Sequence, residues 1–363
     1  MLIFGTLCNA IGTLSFAFIT SYPMAIFIRL FSGFTNANAV ASRSLLADFT
    51  DKTNRTQAFT YLNVFAIVGS IIGPFLGGML AEPHKRFPGI FAGVDFFEDF
   101  PFSLPCFATL GLSLFGLFLA LFYVFDEPAK SSKSGTPLLP NETPTYSFCE
   151  TLHILKGNAS YLTVAFAWCI TGLTLAMTTE LTALWAKSAV DHGGLGWKEE
   201  YKVGMTYAWG SFVLLLFLIF FLRKLMERFG CSLVLQIAQL VAAPVVVAIP
   251  TCHIFYGTWL LWPALMAATA MWGICMGVML TGVQIGINSV VQQEMLGSAN
   301  GMALSIVALI RSLGPLTAGT LFGWSLNNGL GFPFNYYFAY FLEAVLLFTS
   351  SLIVRCGFKT SVK

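Results

Sequence analysis

Ten apolar runs divide this chain, and each is long enough to cross a lipid bilayer as one α-helix, which takes roughly 20 apolar residues. Charged residues make up only 10% of the chain, against about 25% in an ordinary soluble protein. Backbone polar groups in lipid must be satisfied within their own segment, so helices are expected throughout. The sequence therefore predicts an all-α multi-pass membrane protein, with helices at 2–20, 23–46, 59–81, 102–125, 160–186, 203–222, 231–250, 257–288, 300–325 and 334–355.

The loops between these runs differ in charge from one side of the membrane to the other. Loops after the even-numbered runs, together with the C-terminus, carry eleven Lys or Arg residues, whereas the opposite side carries five. Cytoplasmic loops retain Lys and Arg, so we place the first set and both chain ends in the cytosol. Either the plasma membrane or the vacuolar membrane fits this pattern. The net charge of +2 is too small to indicate nucleic-acid binding.

A polar segment separates two sets of apolar runs. Residues 126–157 are rich in Pro, Ser and charge, which predicts a cytosolic linker between an N-terminal bundle of four helices (1–125) and a C-terminal bundle of six (158–363). The two sets also echo each other, since residues 73–80 read GPFLGGML and residues 314–321 read GPLTAGTL. Repeated halves are typical of secondary transporters, in which two similar bundles rock around one site.

The first copy of this repeat lies within a longer small-residue motif. Gly69, Gly73 and Gly77 fall at i, i+4 and i+8, a narrow stripe that allows a neighbouring helix to approach closely. Pro74 removes one backbone donor and is expected to bend the helix. With Gly78, the pattern resembles the fifth-helix motif of proton-coupled antiporters in the major facilitator superfamily. An ordinary packing face of small residues is the alternative interpretation.

A second motif lies in the run 23–46. Arg29 and Gly33 form an R-x3-G pattern that is similar to the fourth-helix motif of the same superfamily, although Asn36 stands where small residues are common. The three residues share one helix face at 100° per residue. A buried Arg is expensive in a membrane, so Arg29 is expected either to face a cavity or to snorkel to the surface.

Several further segments, in order, resemble the zinc-induced facilitator-like branch of that superfamily. The resemblance implies a major-facilitator-type two-bundle fold, proton exchange, and small organic solutes, metal chelates or drugs as substrates. In family order the ten runs would be the third to the twelfth helices, so we expect the first two of twelve to be missing from this sequence. The segments are 78–83 (GMLAEP), 100–105 (FPFSLP), 180–186 (ELTALWA), 193–196 (GGLG) and 311–315 (RSLGP).

Glu180 is the acid that best fits a proton carrier. It follows four threonines on a helix that lines the cavity in the family, and low dielectric favours the neutral form of a carboxyl group. The alternative is a position near the outer interface, where an acid is tolerated. Arg311 is expected near mid-membrane with Glu343 as a candidate partner, and Gln284 is expected to contact substrate. Gly314 and Pro315 complete the transport and gating set as the second copy of the repeat.

Other chemistry finds little support in the sequence. The eight Cys and four His residues are scattered without ligand spacing, so we expect neither a metal site nor a cofactor. A membrane-embedded enzyme would need convergent ligands that are absent from the pattern, and no nucleotide-binding motif indicates ATP-driven transport. The expected partners are a small solute or ion, protons and the lipid bilayer, with the chain acting as a monomer. A non-transporting receptor or scaffold, or an inactive transporter fragment, remains the alternative.

Overall fold

The computed structural model describes residues 2–35, 38, 42, 65–66, 68–69, 72–73, 75–91, 94–123, 148–292 and 295–358. All regular structure in these ranges is helical. Seven of the described helices are long and apolar enough to cross a membrane, and one shorter apolar helix precedes them. The all-α membrane fold predicted from the apolar runs is therefore confirmed, and the chain folds as two compact units, Met1–Leu139 and Pro140–Lys363.

The N-terminal unit is built around the first helix. This helix packs mainly against the last helix of the unit and also against the second. Its Gly12 makes the second contact possible, because a methyl group at that position would collide with the Ser32 side chain. The helices are α1 (Leu2–Ala17), α2 (Tyr22–Thr35), α3 (Pro83–Arg86), α4 (Pro88–Phe91), α5 (Phe96–Asp99) and α6 (Ser103–Tyr123), and residues 75–80 are also helical.

The C-terminal unit contains most of the buried apolar side chains of the described chain. A π-helical turn at Leu218–Leu222 joins two of its helices into one continuous rod. The helices are α7 (Phe148–Gly157), α8 (Ala159–Lys187), α9 (Glu200–Phe217), α10 (Arg223–Phe229), α11 (Cys231–Thr251), α12 (Leu261–Val290), α13 (Leu296–Asn327) and α14 (Phe338–Gly357).

The most extensive helix packing in the C-terminal unit joins α8 to α13. A methyl group placed on Gly314 would lie 2.5 Å from the Cβ of Ala176, and one placed on Gly172 would lie 3.0 Å from a methyl of Val307. Glycine at both positions lets the two backbones approach closely, which is how small residues act in membrane helices. On the other side of α8, α14 packs against both α8 and α11.

Helices extend beyond two of the predicted boundaries. The last ten residues of the predicted linker form α7, because Thr151 and Leu155 share a helix face and are almost fully buried. The charged segment 223–230, predicted as a loop, is mostly helical as α10. Its Arg223 pairs with Glu227 one turn away on the same helix at 2.8 Å. The predicted linker residues 126–147 lie outside the described part of the chain.

Candidate functional site

An open cavity of about 490 Å³ lies between α8 and α13 in the C-terminal unit. The described residues of its walls come from these two helices, which separate on this side although they pack closely around Gly314. Two of the predicted site residues with charged side chains, Glu180 and Arg311, both face this cavity. The lining residues are Ala176, Thr179 and Glu180 from α8, and Leu304, Val307, Ala308, Arg311, Ser312 and Pro315 from α13.

Glu180 and Arg311 bring opposite charges into the cavity from facing helices. Both side chains are exposed. Within the described residues, neither forms an ion pair or a hydrogen bond, whereas the neighbouring hydroxyls of Thr179 and Ser312 donate to backbone carbonyls of their own helices at 2.7 Å. The two charged groups are therefore the polar side chains in this cavity that remain available to a bound molecule.

Pro315 adds a hydrogen-bond acceptor to the same wall. Proline has no backbone N–H, so the carbonyl of Arg311, four residues earlier, lacks its normal helical donor. The carbonyl and the guanidinium of one residue thus offer an acceptor and donors side by side. This arrangement suits a ligand that carries both an anionic group and an N–H or O–H group.

The predicted partnership between Arg311 and Glu343 is wrong in this structure. Glu343 on α14 is completely buried, whereas Arg311 is exposed at the cavity on α13. Both oxygens of the Glu343 carboxyl lie within hydrogen-bonding distance of the Thr178 hydroxyl, at 3.0 and 3.2 Å. The sequence placed Arg311 and Glu343 at similar depth, but depth along a helix does not determine which way a side chain points around it.

Tyr207 on α9 is a residue that the sequence did not single out. Its hydroxyl donates to the backbone carbonyl of Thr179 at 2.6 Å, at the edge of the cavity. It also lies close enough to Glu180 and to Glu343 to interact electrostatically with both carboxyl groups. A lone Tyr inside an apolar run gives no signal of such a position, because only the packing of α9 against its neighbours reveals it.

Arg29 lines a smaller cavity in the N-terminal unit, as one of the two sequence interpretations expected. Its guanidinium stacks 4.1 Å above the ring of Phe16, a cation–π contact. The cavity measures about 260 Å³. Its polar wall also includes residues that the sequence did not point to, namely Asn9, Thr13, Ser32, Cys106 and Thr109.

The glycine positions of the predicted motifs differ in their surroundings. A methyl group placed on Gly33, Gly69, Gly73 or Gly77 would meet no described atom within 4 Å, so the close helix approach expected at this stripe stays a prediction. The carbonyl of Gly78 accepts a hydrogen bond from Arg86 at 2.6 Å, which ties the end of the helical segment 75–80 to α3. Asn36 and Pro74 lie outside the described residues.

Gln284 is not among the residues that line the α8–α13 cavity. It lies half-buried on α12. Nearby, the Asn300 side chain donates to the Asn288 side chain at 2.7 Å and links α12 to α13. A contact between Gln284 and a solute stays a prediction.

The segment 193–196, one of those that carry the family resemblance, forms a tight turn after α8. The indole N–H of the fully buried Trp185 donates to the Gly193 carbonyl at 2.8 Å. A methyl group on Gly194 would collide with the Ser188 backbone and lie 2.6 Å from the Trp185 carbonyl oxygen. The glycines are therefore needed because this turn folds directly onto the end of α8.

The sequence and the fold match one large family over most of the chain. A family model described as Major Facilitator Superfamily matches residues 1–315. The chain belongs to the Major Facilitator Superfamily. It is accordingly an integral, multi-pass membrane protein of a transporter superfamily, which is not an enzyme class.

Individual relatives within the superfamily confirm the narrower resemblance. The chain is 29% identical over 268 residues to Protein ZINC INDUCED FACILITATOR-LIKE 1 of Arabidopsis thaliana, a match that covers 71% of this chain and 55% of that protein. It is 26% identical over 347 residues to Protein ZINC INDUCED FACILITATOR 1 of the same plant, covering 90% of this chain and 69% of that one. The chain thus spans between about half and two thirds of these relatives' length.

A solved superfamily structure supports the two-bundle fold. The crystal structure of the nucleoside transporter NupG superposes with a TM-score of 0.67 over 99% of this chain and 83% of that one. The two sequences are only 13% identical, so this likeness concerns the fold alone. Among the residues that the structure describes, no group of three or more His, Cys, Asp or Glu side chains is placed to hold a metal ion.

Proposed function

We propose that this chain is a secondary active transporter that moves a small organic solute across the membrane by alternating access, in exchange for protons. Membership of the superfamily supports transport as the general activity. The observation that carries the proposal is the cavity between α8 and α13, where the side chains of Glu180 and Arg311 are both exposed and form no ion pair with a described residue.

Arg311 is the proposed solute anchor. Its planar guanidinium presents several N–H groups that match a carboxylate or phosphate. The carbonyl that Pro315 leaves without a helical donor would accept a hydrogen bond from the same solute. Solutes with an anionic group therefore come first as candidates. Because two plant relatives are named for induction by zinc, metal chelates are included beside organic solutes and drugs.

Glu180 is the proposed coupling residue. When ionised, its carboxylate attracts the cationic or N–H groups of a solute, and when it takes up a proton this attraction is lost. Solute and proton then compete for binding at Glu180. By thermodynamic linkage, each weakens the binding of the other by the same factor. Such competition converts an inward proton gradient into outward movement of solute, provided that the site faces one side at a time.

The test is proton movement in proteoliposomes that contain the full chain and an entrapped pH-sensitive dye. Candidate solutes, including organic anions and their zinc chelates, are added one at a time. We expect at least one of them to release protons across the membrane, and Glu180→Gln to abolish this signal. The matched control is Glu227→Gln, which removes an exposed carboxylate on α10, a helix that does not line the cavity. Solute movement that is independent of pH in the unmodified chain would contradict the proposed coupling.

A further inference from the structure

The carboxyl group of Glu343 is buried without a cation. The residue has no exposed surface, and in the described part of the chain no Lys, Arg or His forms an ion pair with it. An ionised carboxylate in such a place is strongly disfavoured, since neither water nor a positive charge compensates it. Burial therefore favours a protonated, neutral Glu343.

The hydrogen-bond geometry of Thr178 points to the same state. Its hydroxyl oxygen lies 2.8 Å from the carbonyl of Thr174 and 3.0 Å from the nearer oxygen of Glu343. A hydroxyl has one proton to donate, and a carbonyl can only accept. If the Thr178 proton goes to Thr174, as is common for Thr in membrane helices, the contact with Glu343 is a hydrogen bond only when the carboxyl group donates. A protonated Glu343 satisfies all three groups.

Two further buried hydroxyls in the same region do not complete a hydrogen bond. The Tyr340 hydroxyl and the Thr182 hydroxyl are both buried, and neither has a partner of good geometry among the described residues. Tyr340 lies near enough to Glu343 to interact with its charge, and the Thr182 hydroxyl lies next to the phenols of Tyr340 and Tyr207. Unsatisfied buried hydroxyls are rare, and here two of them lie next to each other, with Tyr340 beside the carboxyl group of Glu343.

This group of hydroxyls reaches the cavity through Tyr207. The Tyr207 hydroxyl contacts the Thr179 carbonyl at the cavity edge, and its phenol interacts electrostatically with both Glu180 and Glu343. Among the described residues, the titratable groups near Glu343 are thus Tyr340 on its own helix and Tyr207 on α9, and Tyr207 in turn lies near Glu180 on α8. The neighbouring helix α11 contacts α14 two turns further along, where the amide of Gln239 donates to Ser350.

We propose that Glu343 is a second proton-binding site, closed off in this conformation and connected to the α8–α13 cavity by the hydroxyls of Thr182, Tyr340 and Tyr207. On release, the carboxyl O–H bond breaks, its electron pair stays on Glu343 as a carboxylate, and the proton passes along these hydroxyls to water in the cavity. A role of Glu343 in transport rests on the proposed function. The binding of a proton by Glu343 does not depend on it.

Infrared difference spectroscopy of the full chain in lipid bilayers tests the proton directly. We expect a protonated-carboxyl C=O stretch at mildly acidic pH that is present in the unmodified chain, absent in Glu343→Gln and retained in Glu227→Gln. Raising the pH should replace it with a carboxylate band, and D₂O should shift it. Should Glu343→Gln not fold, Thr178→Val serves instead, because loss of the hydroxyl partner should shift the frequency of the same band.

Two results would overturn the proposal. One is a spectrum in which Glu343→Gln and the unmodified chain show the same protonated-carboxyl absorption at every pH. The other is a Glu343 band that neither titrates nor shifts in D₂O, because that proton would be permanently trapped. Tyr207→Phe should slow the exchange in D₂O, whereas Thr349→Val, which removes an exposed hydroxyl of α14, should not. A titrating band in a chain that moves no solute would reject the transport proposal and support this one.

Discussion

Gly314 on α13 faces Ala176 on α8 so closely that a methyl group on the glycine would lie 2.5 Å from the alanine Cβ. The contact lies one turn from Arg311 on one helix and one turn from Glu180 on the other, so it sets the separation of the two charges. Gly314 belongs to the second copy of the repeated sequence. The equivalent residue of the first copy, Gly73, has no described atom within 4 Å of an added methyl group. The two copies thus share a sequence pattern but differ in their described surroundings.

Replacing Gly314 with alanine should destabilise the protein by about 1–3 kcal/mol, because the added methyl group overpacks the α8–α13 interface. Gly319→Ala is the matched control on the same helix, since its methyl group would meet no described atom within 4 Å. Alanine should there stabilise the helix by up to about 1 kcal/mol. Thermal unfolding in detergent or lipid measures both. Shifts of the same sign in the two variants would contradict the packing argument.

Arg311→Gln should raise the solute concentration needed for half-maximal transport by about 10-fold or more, since hydrogen bonds to charged groups contribute about 1.5–3 kcal/mol. Arg311→Lys should recover part of this loss, because it restores the charge without the planar fork. Uptake kinetics in proteoliposomes provide the measurement. The control is Arg223→Gln, which removes an arginine whose side chain is 86% exposed on α10. Equal effects of the two glutamine variants would rule out Arg311 as the solute anchor.

Glu180→Gln should separate exchange from coupling. A glutamine keeps the shape of the side chain but cannot take up a proton, so solute-for-solute exchange should continue while accumulation driven by a pH gradient is lost. Both are measured with the same labelled solute in the same proteoliposomes. If gradient-driven accumulation persists in Glu180→Gln, another residue must couple transport to protons. Glu343 is then the next residue to test.

Trp185→Phe should destabilise the C-terminal unit by about 1–3 kcal/mol, because the buried Gly193 carbonyl loses its hydrogen-bond donor. Trp324→Phe is the control, since Trp324 is 46% exposed and has no such bond. Its effect should stay within about 0.5 kcal/mol. Chemical or thermal unfolding monitored by circular dichroism compares the two. A neutral Trp185→Phe would show that the turn at 193–196 does not depend on the indole.

Much of the fold was predictable from the linear sequence of residues. Each apolar run had to form its own hydrogen bonds in lipid, so its helical state followed from length and composition alone. The helices α8, α11 and α14 accordingly lie close to the predicted runs. The sequence assigns residues 148–157 to the linker because they continue a segment, 126–147, that is rich in Pro, Ser and charge. Their helix depends on burying Thr151 and Leu155 against other helices, which local composition does not reveal.

The sequence by itself determined the helical membrane architecture, the superfamily and the depth of charges such as Glu180 and Arg311 along their helices. Only the tertiary structure decided which of these charges share a cavity. It turned Arg311 toward the cavity that Glu180 also lines, and it enclosed Glu343 beside Thr178 and Tyr340. The physical reason is that position along a helix follows from residue count, whereas the direction of a side chain depends on which neighbouring helices pack around it.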